Sequence, residues 1–142
     1  MSASTKLSNS VKALCYLAEE YPHPRNSQQI SKRVGVNASK LRKLLSLLVQ
    51  NGIVVSSKGT SGGFYLAKKI TKINLQQIYC AIEDRKAFYL DVNFTNGECK
   101  GETKLYNKYF INLFDSIQTD IEKKMEKISL KMLMNDIKKQ NF

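Results

Sequence analysis

Histidine and cysteine are scarce in this chain of 142 residues, which has one histidine, His23, and three cysteines, Cys15, Cys80 and Cys99. A single histidine, with no glycine-rich phosphate loop leading into a helix, leaves no constellation for acid–base or nucleophilic catalysis. An odd, widely spaced set of cysteines does not form a disulfide framework, so we expect free thiols. The protein is therefore not expected to be an enzyme or a disulfide-stapled domain.

Long apolar runs are also missing. The longest, residues 44–49, is short and interrupted by Ser46, so no segment is predicted to span a membrane. The N-terminus, Met-Ser-Ala-Ser-Thr-Lys, lacks the apolar core of a secretory signal. We expect a cytoplasmic protein with no membrane partner. Its length suits one domain with an appended oligomerisation element.

Acidic residues are absent from residues 21–82, although the whole chain has twelve of them. The same block carries ten lysines and arginines and accounts for most of the net charge of +11. A concentrated basic surface suits a polyphosphate backbone, because each neutralised phosphate releases a condensed counterion. The alternative is that these cations are merely solvated. They are Arg25, Lys32, Arg33, Lys40, Arg42, Lys43, Lys58, Lys68, Lys69 and Lys72.

Apolar residues at helical spacing predict a first helix that is stopped by Pro22 and Pro24. Ser27 is placed to cap a second helix, which ends at Gly35, and Asn37 is placed to cap a third over Ala38–Gln50. Two β-type runs, residues 53–55 and 64–66, follow and are separated by a tip rich in glycine and serine.

Further helices are predicted after the hairpin. Asn74 is placed to cap the first of them, a long helix begins at Lys104, and Ser129 is placed to recap the chain into a short terminal helix. The expected fold class is mainly α with a small β-hairpin: a winged helix-turn-helix DNA-binding domain plus a long C-terminal helix that suits an oligomerisation element. The expected domains are 1–84 for DNA binding, 85–103 as a loop and 104–142 for the long helix and the short terminal helix.

This geometry assigns the third helix to the major groove of double-stranded DNA, which it would enter by its N-terminal half. The apolar stripe of that helix faces the core and leaves serine, lysine and arginine pointing outward, where they can bond base edges or phosphates. The small residues of the wing tip let the backbone approach DNA closely. The predicted DNA-binding residues are Ser27, Gln28, Ser39, Lys40, Arg42, Lys43, Ser46, Lys58, Gly59, Thr60, Ser61 and Gly62.

Two motifs resemble the Rrf-two family of bacterial winged-helix regulators. Ser4-Thr5-Lys6 followed by Val11-Lys12-Ala13-Leu14-Cys15-Tyr16-Leu17-Ala18 resembles that family's opening. Lys58-Gly59-Thr60-Ser61-Gly62-Gly63-Phe64-Tyr65-Leu66-Ala67 resembles its wing. The resemblance covers nearly the whole chain. It implies homodimers that bind near-palindromic operators, usually as repressors.

The long helix from Lys104 would supply the dimer interface, since an apolar stripe on so long a helix needs burial against something. The alternative is that the helix packs on its own domain. The predicted interface residues are Leu105, Tyr109, Leu113, Ile117, Ile121, Met125 and Ile128.

The chain departs from the family in its cysteines. Many relatives hold an iron–sulfur cluster through three cysteines in the loop before the long helix, whereas residues 85–103 contain only Cys99. One thiolate cannot hold a cluster that takes four ligands, so no metal and no cofactor is predicted. Cys15 and Cys99 are the candidates for a redox switch. The other readings are a buried Cys15 and an unreactive Cys99, and Cys80 is expected in the core.

Two other functions remain open. A ligand-responsive repressor without a thiol switch would use a pocket among the aromatic residues of the C-terminal half, although such a cluster can equally be dimer core. A nonspecific architectural binder would use the basic block for phosphates only, and would bind operator and random DNA equally. The aromatic residues are Phe88, Tyr89, Phe94, Tyr106, Tyr109, Phe110 and Phe114.

Overall fold

Six α-helices, one β-hairpin and a short 3-10 helix make up the part of the chain that this computed structural model describes, residues 2–83 and 101–140. Residues 2–83 and 126–140 form one unit, and residues 101–125 belong to a second. The elements in chain order are α1 (Ala3–Glu20), α2 (Ser27–Val34), α3 (Ala38–Gln50), β1 (Val54–Ser57), β2 (Gly63–Leu66), the 3-10 helix (Ile70–Lys72), α4 (Leu75–Ile82), α5 (Glu102–Glu126) and α6 (Leu130–Lys139).

The start of α2 is set by Asn26 rather than by Ser27. The Asn26 side-chain oxygen accepts the Gln29 N–H at 2.8 Å, and the Gln29 side-chain oxygen accepts the Asn26 N–H at 2.9 Å. Reciprocal bonds of this kind satisfy two helix N–H groups that otherwise lack partners. The prediction of Ser27 as the cap was therefore one residue late. The prediction that Gly35 ends the helix is confirmed, because it adopts the left-handed conformation with φ of 78°.

The bounds predicted for α3 are confirmed. Its cap is Asn37, whose side chain accepts the Ser39 N–H at 2.9 Å. Helical spacing places four leucines on one face, and all four are buried in the core of the first unit together with residues of α1, α4 and the hairpin. That burial fixes which face of α3 remains outside. The four are Leu41, Leu44, Leu45 and Leu48.

The hairpin is antiparallel, with Val54 opposite Leu66 and Ser57 opposite Gly63. A third segment pairs with it: the Arg25 N–H donates to the Phe64 carbonyl at 3.0 Å, and the Phe64 N–H donates to the Arg25 carbonyl at 2.8 Å. The connection between α1 and α2 therefore holds β2, the second strand of the wing, near its start.

The predicted caps of α4 and α6 are confirmed, with Asn74 and Ser129 as the capping residues. However, α6 packs in the first unit. Leu130 is fully buried in the core of that unit, and its N–H donates to the Ile73 carbonyl at 2.7 Å. Residues 104–142, which the sequence grouped as one segment, are thus divided near residue 126. Ile128 lies at this division, and its carbonyl accepts the N–H of Leu75 at 2.8 Å.

Cys80 is exposed on α4, where its sulfur accepts a hydrogen bond from the Gln76 side chain at 3.2 Å. The expectation of a core position was wrong because α4 buries Ile78, Tyr79, Ala81 and Ile82 and leaves position 80 on its open face. In residues 2–83 and 101–140, no helix combines the length and the apolar content needed to cross a bilayer.

Candidate nucleic-acid interface

Two acids at the end of α1 neutralise two of the cations in the basic block. A carboxylate oxygen of Glu20 lies 2.6 Å from the Arg25 guanidinium, and one of Glu19 lies 3.3 Å from that of Arg33. The hydrogen bond from Arg25 lowers the pKa of Glu20. Arg33 also stands over the ring of Tyr16, with 5.7 Å from its central carbon to the ring centroid. Arg25 and Arg33 are therefore each paired with a carboxylate of the same chain, although the Arg33 side chain remains exposed.

The outer face of α3 carries the densest group of available cations. Arg42 and Lys43 are exposed, and with Ser39, Ser46 and Leu47 they line one shallow groove. Within the described residues, neither cation has a carboxylate partner. This groove brings together four of the five residues predicted on α3, and the fifth, Lys40, is exposed beside them. We call this groove the α3 groove.

The predicted residues of α2 are placed less uniformly. Gln28 is exposed, whereas Ser27 is half-buried in the first turn of the helix. Lys32, in the last turn, is exposed and has no ion pair among the described residues, although it was not among the predicted contacts. The signal that could have found it was its position four residues after Gln28, which puts both on one face.

The wing tip is a tight turn that presents small polar residues around Lys58. Lys58, Gly59, Thr60 and Ser61 are exposed, and Gly62 is half-buried. The Gly62 N–H donates to the Gly59 carbonyl at 3.0 Å. A Cβ at position 62 would lie 2.4 Å from the Ser57 carbonyl oxygen, so only glycine fits there. The tip is thus held by its own backbone.

The apolar stripe of α5 divides into an exposed and a half-buried part. Leu105, Tyr109 and Leu113 are exposed, with 70% of the Leu105 side chain and 64% of the Tyr109 side chain accessible. The remaining predicted interface residues, Ile117, Ile121, Met125 and Ile128, are half-buried. Tyr106 and Phe110 are also exposed, although the predicted stripe omitted them. Large exposed apolar side chains of this kind mark interaction surfaces.

The two thiols proposed for a switch fall into different situations. Cys15 is half-buried on α1, and burial together with the negative charge of Glu19 raises the pKa of its thiol to about 11. A thiol with that pKa is almost entirely protonated at neutral pH, and the protonated form is the unreactive one. Cys99 lies outside the described residues.

A helix-turn-helix with an exposed cationic outer helix, followed by a β-hairpin wing, defines a winged-helix DNA-binding protein. A model of one protein family matches residues 3–136, and its description is Rrf2, iron-dependent transcriptional regulator. The chain belongs to this family, the one that its opening and wing motifs resemble. It is a DNA-binding transcriptional regulator, and not an enzyme.

Individual proteins agree with this assignment. The chain is 32% identical over 115 residues to YwgB of Bacillus subtilis, named as an HTH-type transcriptional regulator, covering 78% of this chain and 69% of YwgB. A transcriptional regulator from Lactobacillus plantarum has the same fold, with a TM-score of 0.81 at 16% identity over 95% of this chain and 91% of that one. CymR of B. subtilis, titled the global cysteine regulator, has a TM-score of 0.68 at 19% identity, covering 95% and 97%.

The family's description names iron, but the donor set of this chain does not fit an iron–sulfur cluster. Residues 85–103, where the family's three cysteines would lie, contain only Cys99, while such clusters take four protein ligands. The other two cysteines, Cys15 and Cys80, lie on different helices, α1 and α4. Among residues 2–83 and 101–140, no three histidine, cysteine or acidic side chains are grouped to hold a metal.

Proposed function

We propose that this protein is a homodimeric repressor that binds a near-palindromic DNA operator. The observation that supports this most strongly is the α3 groove, where Arg42, Lys43 and two serines stand together on an exposed helix face, with no carboxylate partner among the described residues. Since its relatives are bacterial, we place its action in the cytoplasm, where the chromosome lies.

Base readout is assigned to α3. Arg42 can bond guanine O6 and N7 through two N–H groups at once, and Lys43 can reach the same atoms singly. Ser39 and Lys40 lie in the first turn, the part of a recognition helix that usually contacts bases. Ser46, one turn further on, is suited to a phosphate or a base edge.

Backbone contacts are assigned to α2 and to the wing. Lys58 and the exposed main chain of Gly59, Thr60 and Ser61 would meet phosphates beside the recognised bases, and Gly62 shapes the turn that presents them. Ser27 and Gln28 stand at the N-terminus of α2, where free helix N–H groups favour an anion. Such contacts set affinity and salt dependence rather than sequence preference.

Dimerisation is assigned to α5, because its exposed side chains include five large apolar residues within three turns. A second copy of the same helix would cover them, and a two-fold dimer presents two copies of α3 to two half-sites. The five are Leu105, Tyr106, Tyr109, Phe110 and Leu113.

Within this proposal, Cys99 is the cysteine whose oxidation would regulate DNA binding. The Cys15 thiol is held protonated, whereas Lys100 beside Cys99 favours the reactive thiolate. A repressor that responds to a small ligand instead is the competing form of the same function.

The test is a titration of the purified dimer against the DNA upstream of its own gene and against random duplex, first reduced and then oxidised. We expect a preference of about 10³ or more for the operator. Release on oxidation, abolished by Cys99→Ser and kept in Cys15→Ser, would support the thiol switch. Indifference to oxidant would favour the ligand-responsive form. Equal binding to the upstream DNA and to random duplex would contradict selective binding at that site and favour the nonspecific binder.

Two variants separate the roles of helix and wing. Arg42→Ala should cost about 1–3 kcal/mol on the operator and relax the preference at one base pair. Lys58→Ala should weaken operator and random DNA alike and flatten the salt dependence. An Arg42→Ala protein with unchanged operator affinity would remove Arg42 from base readout. An altered base preference in Lys58→Ala would overturn the assignment of the wing to the backbone.

A further inference from the structure

A cavity of about 540 Å³ that is open to solvent lies at the surface of the first unit, away from the α3 groove. Most of its lining residues are exposed, among them all of its lysines. Its walls come from the last turn of α1, from the segment that leaves β2, and from the first turn of α6. The volume falls within the roughly 300–1,000 Å³ that is usual for small-molecule sites. None of the contacts assigned to DNA or to dimerisation uses these residues.

The lining of this cavity has two chemical halves. Ala18, Leu66, Ala67 and Ile70 supply apolar walls, and Tyr21 and Thr71 add a phenol ring and a hydroxyl to them. The second half consists of cations, and none of the described lining residues is acidic. An apolar wall with a few charged groups is the usual makeup of a site that orients a ligand by one polar end.

The cations are Lys68, Lys69 and Lys131, drawn from two elements that are far apart in sequence. Within the described part of the chain, none of the three has a carboxylate partner. Like charges gathered at one concave surface repel each other and concentrate a positive potential, which an anion relieves. The charge of the site therefore selects the sign of its ligand.

A ligand bound in this cavity would contact two elements, the end of β2 and the first turn of α6. Leu66 is the last residue of β2, so the wing starts from one wall. Lys131 lies in the first turn of α6, next to Leu130, whose N–H bonds the Ile73 carbonyl. A ligand spanning both walls would stiffen the base of the wing against α6. That consequence for DNA binding rests on the proposed function, whereas binding of the ligand does not.

We propose that this cavity is an effector site for a small organic anion with an apolar body, such as an aromatic or aliphatic carboxylate. The apolar body would lie against Ala18, Leu66 and Ile70, and the anionic end would lie among Lys68, Lys69 and Lys131. This makes the regulator responsive to a metabolite class whose charge and shape the cavity selects.

The test uses anilinonaphthalene sulfonate, an apolar anion whose fluorescence reports binding, and its uncharged analogue phenylnaphthylamine, both titrated into the DNA-free protein. We expect saturable binding of the sulfonate, one molecule per chain, and binding of the uncharged analogue that is weaker by about tenfold, because it cannot use the three lysines. Added salt should narrow this difference. Equal binding of both probes would show an apolar surface only and would overturn the anion site.

Variants locate the binding. Lys131→Gln should weaken sulfonate binding by about two- to fivefold, and Lys68→Gln combined with it should weaken binding further. Lys139→Gln, at the far end of the same helix and outside the cavity, is the matched control and should have no effect. Ala67→Phe fills the cavity without changing charge and should abolish binding, with a melting curve showing that the protein remains folded.

Two results would overturn the proposal. Sulfonate binding that is unchanged in the double lysine variant would place the probe elsewhere, such as the exposed residues of α5. In the second result, duplex DNA displaces the probe and Lys131→Gln reduces the salt dependence of DNA binding. This result would show that the lysines contact the DNA backbone. The lysine variants do not require the cavity to tolerate a larger side chain, so the question is decided even if Ala67→Phe fails to fold.

Discussion

The attachment of the wing to the α1–α2 connection can be tested at Gly63. A Cβ added there would lie 2.5 Å from the Arg25 carbonyl carbon, 2.6 Å from its oxygen and 2.9 Å from the Asn26 nitrogen. All three atoms belong to the backbone and cannot rotate out of the way. The φ of Gly63, 155°, is also one that other residues rarely adopt. In Gly63→Ala, β2 must therefore move away from Arg25.

The cost follows from what that movement breaks. The two hydrogen bonds between Arg25 and Phe64, at 2.8 and 3.0 Å, contribute about 0.5–1.5 kcal/mol each. The backbone strain that remains at position 63 after this movement adds about 1–3 kcal/mol. We expect Gly63→Ala to lower the free energy of unfolding by about 2–6 kcal/mol. Urea denaturation at fixed protein concentration measures this directly.

Gly59→Ala is the matched control, because Gly59 has a φ of 109° but nothing within 4 Å of the added Cβ. It should show the conformational cost alone, about 1–2 kcal/mol. Gly63→Ala should also weaken binding to operator and random DNA together, since the displaced wing loses its backbone contacts. Equal destabilisation by the two variants, or a Gly63→Ala protein with unchanged DNA affinity, would refute the anchoring of the wing by Arg25.

Three further predictions concern the first unit. Leu130→Ala should lower the free energy of unfolding by about 3–5 kcal/mol, because Leu130 is fully buried. Met132→Ala, on the exposed side of α6, should lower it little, and equal effects of the two variants would contradict the packing of α6 on the core. In a Cys80→Ser, Cys99→Ser background, the thiol of Cys15, with its pKa of about 11, should react with iodoacetamide at neutral pH much more slowly in the folded than in the urea-unfolded protein. Similar rates in the two states would contradict the burial of Cys15. Pairing with Arg25 lowers the pKa of Glu20 in the folded protein. The stabilisation by this ion pair is therefore complete above the ordinary pKa of 4.5 and is lost as the pH falls through the lowered pKa. Glu20→Gln should remove this part of the acid dependence of the melting temperature, and an unchanged pH profile would show that the pair contributes nothing.

Features encoded by neighbouring residues were predictable from the sequence. Asn37 and Asn74 cap their helices, Gly35 ends α2, and the leucine spacing of α3 settles which face is buried. These depend on hydrogen bonds or periodicities that span at most a few turns of helix. The outward residues of α3, and with them the α3 groove, follow from that local information alone.

Features that depend on contacts between distant segments were not predictable in the same way. The Leu130 side chain looks like any other apolar position on a terminal helix, and only its burial against α1 and the 3-10 helix assigns α6 to the first unit. Cys80 sits in an apolar stretch, yet the packing of α4 leaves it outside. The cavity beside α6 depends on the same packing, because only the folded chain places Lys131 at the same cavity as Lys68 and Lys69.

The distribution of charge shows how both kinds of information combine. The sequence marks an acid-free block, but the structure divides its cations by what stands next to them. Glu19 and Glu20, just before the block, pair with Arg33 and Arg25, and Arg25 lies in the α1–α2 connection to which β2 is paired. Arg42 and Lys43 keep no such partner within the described residues and remain available to DNA. One part of the basic block thus builds the frame of the wing, and the other part is left free to bind.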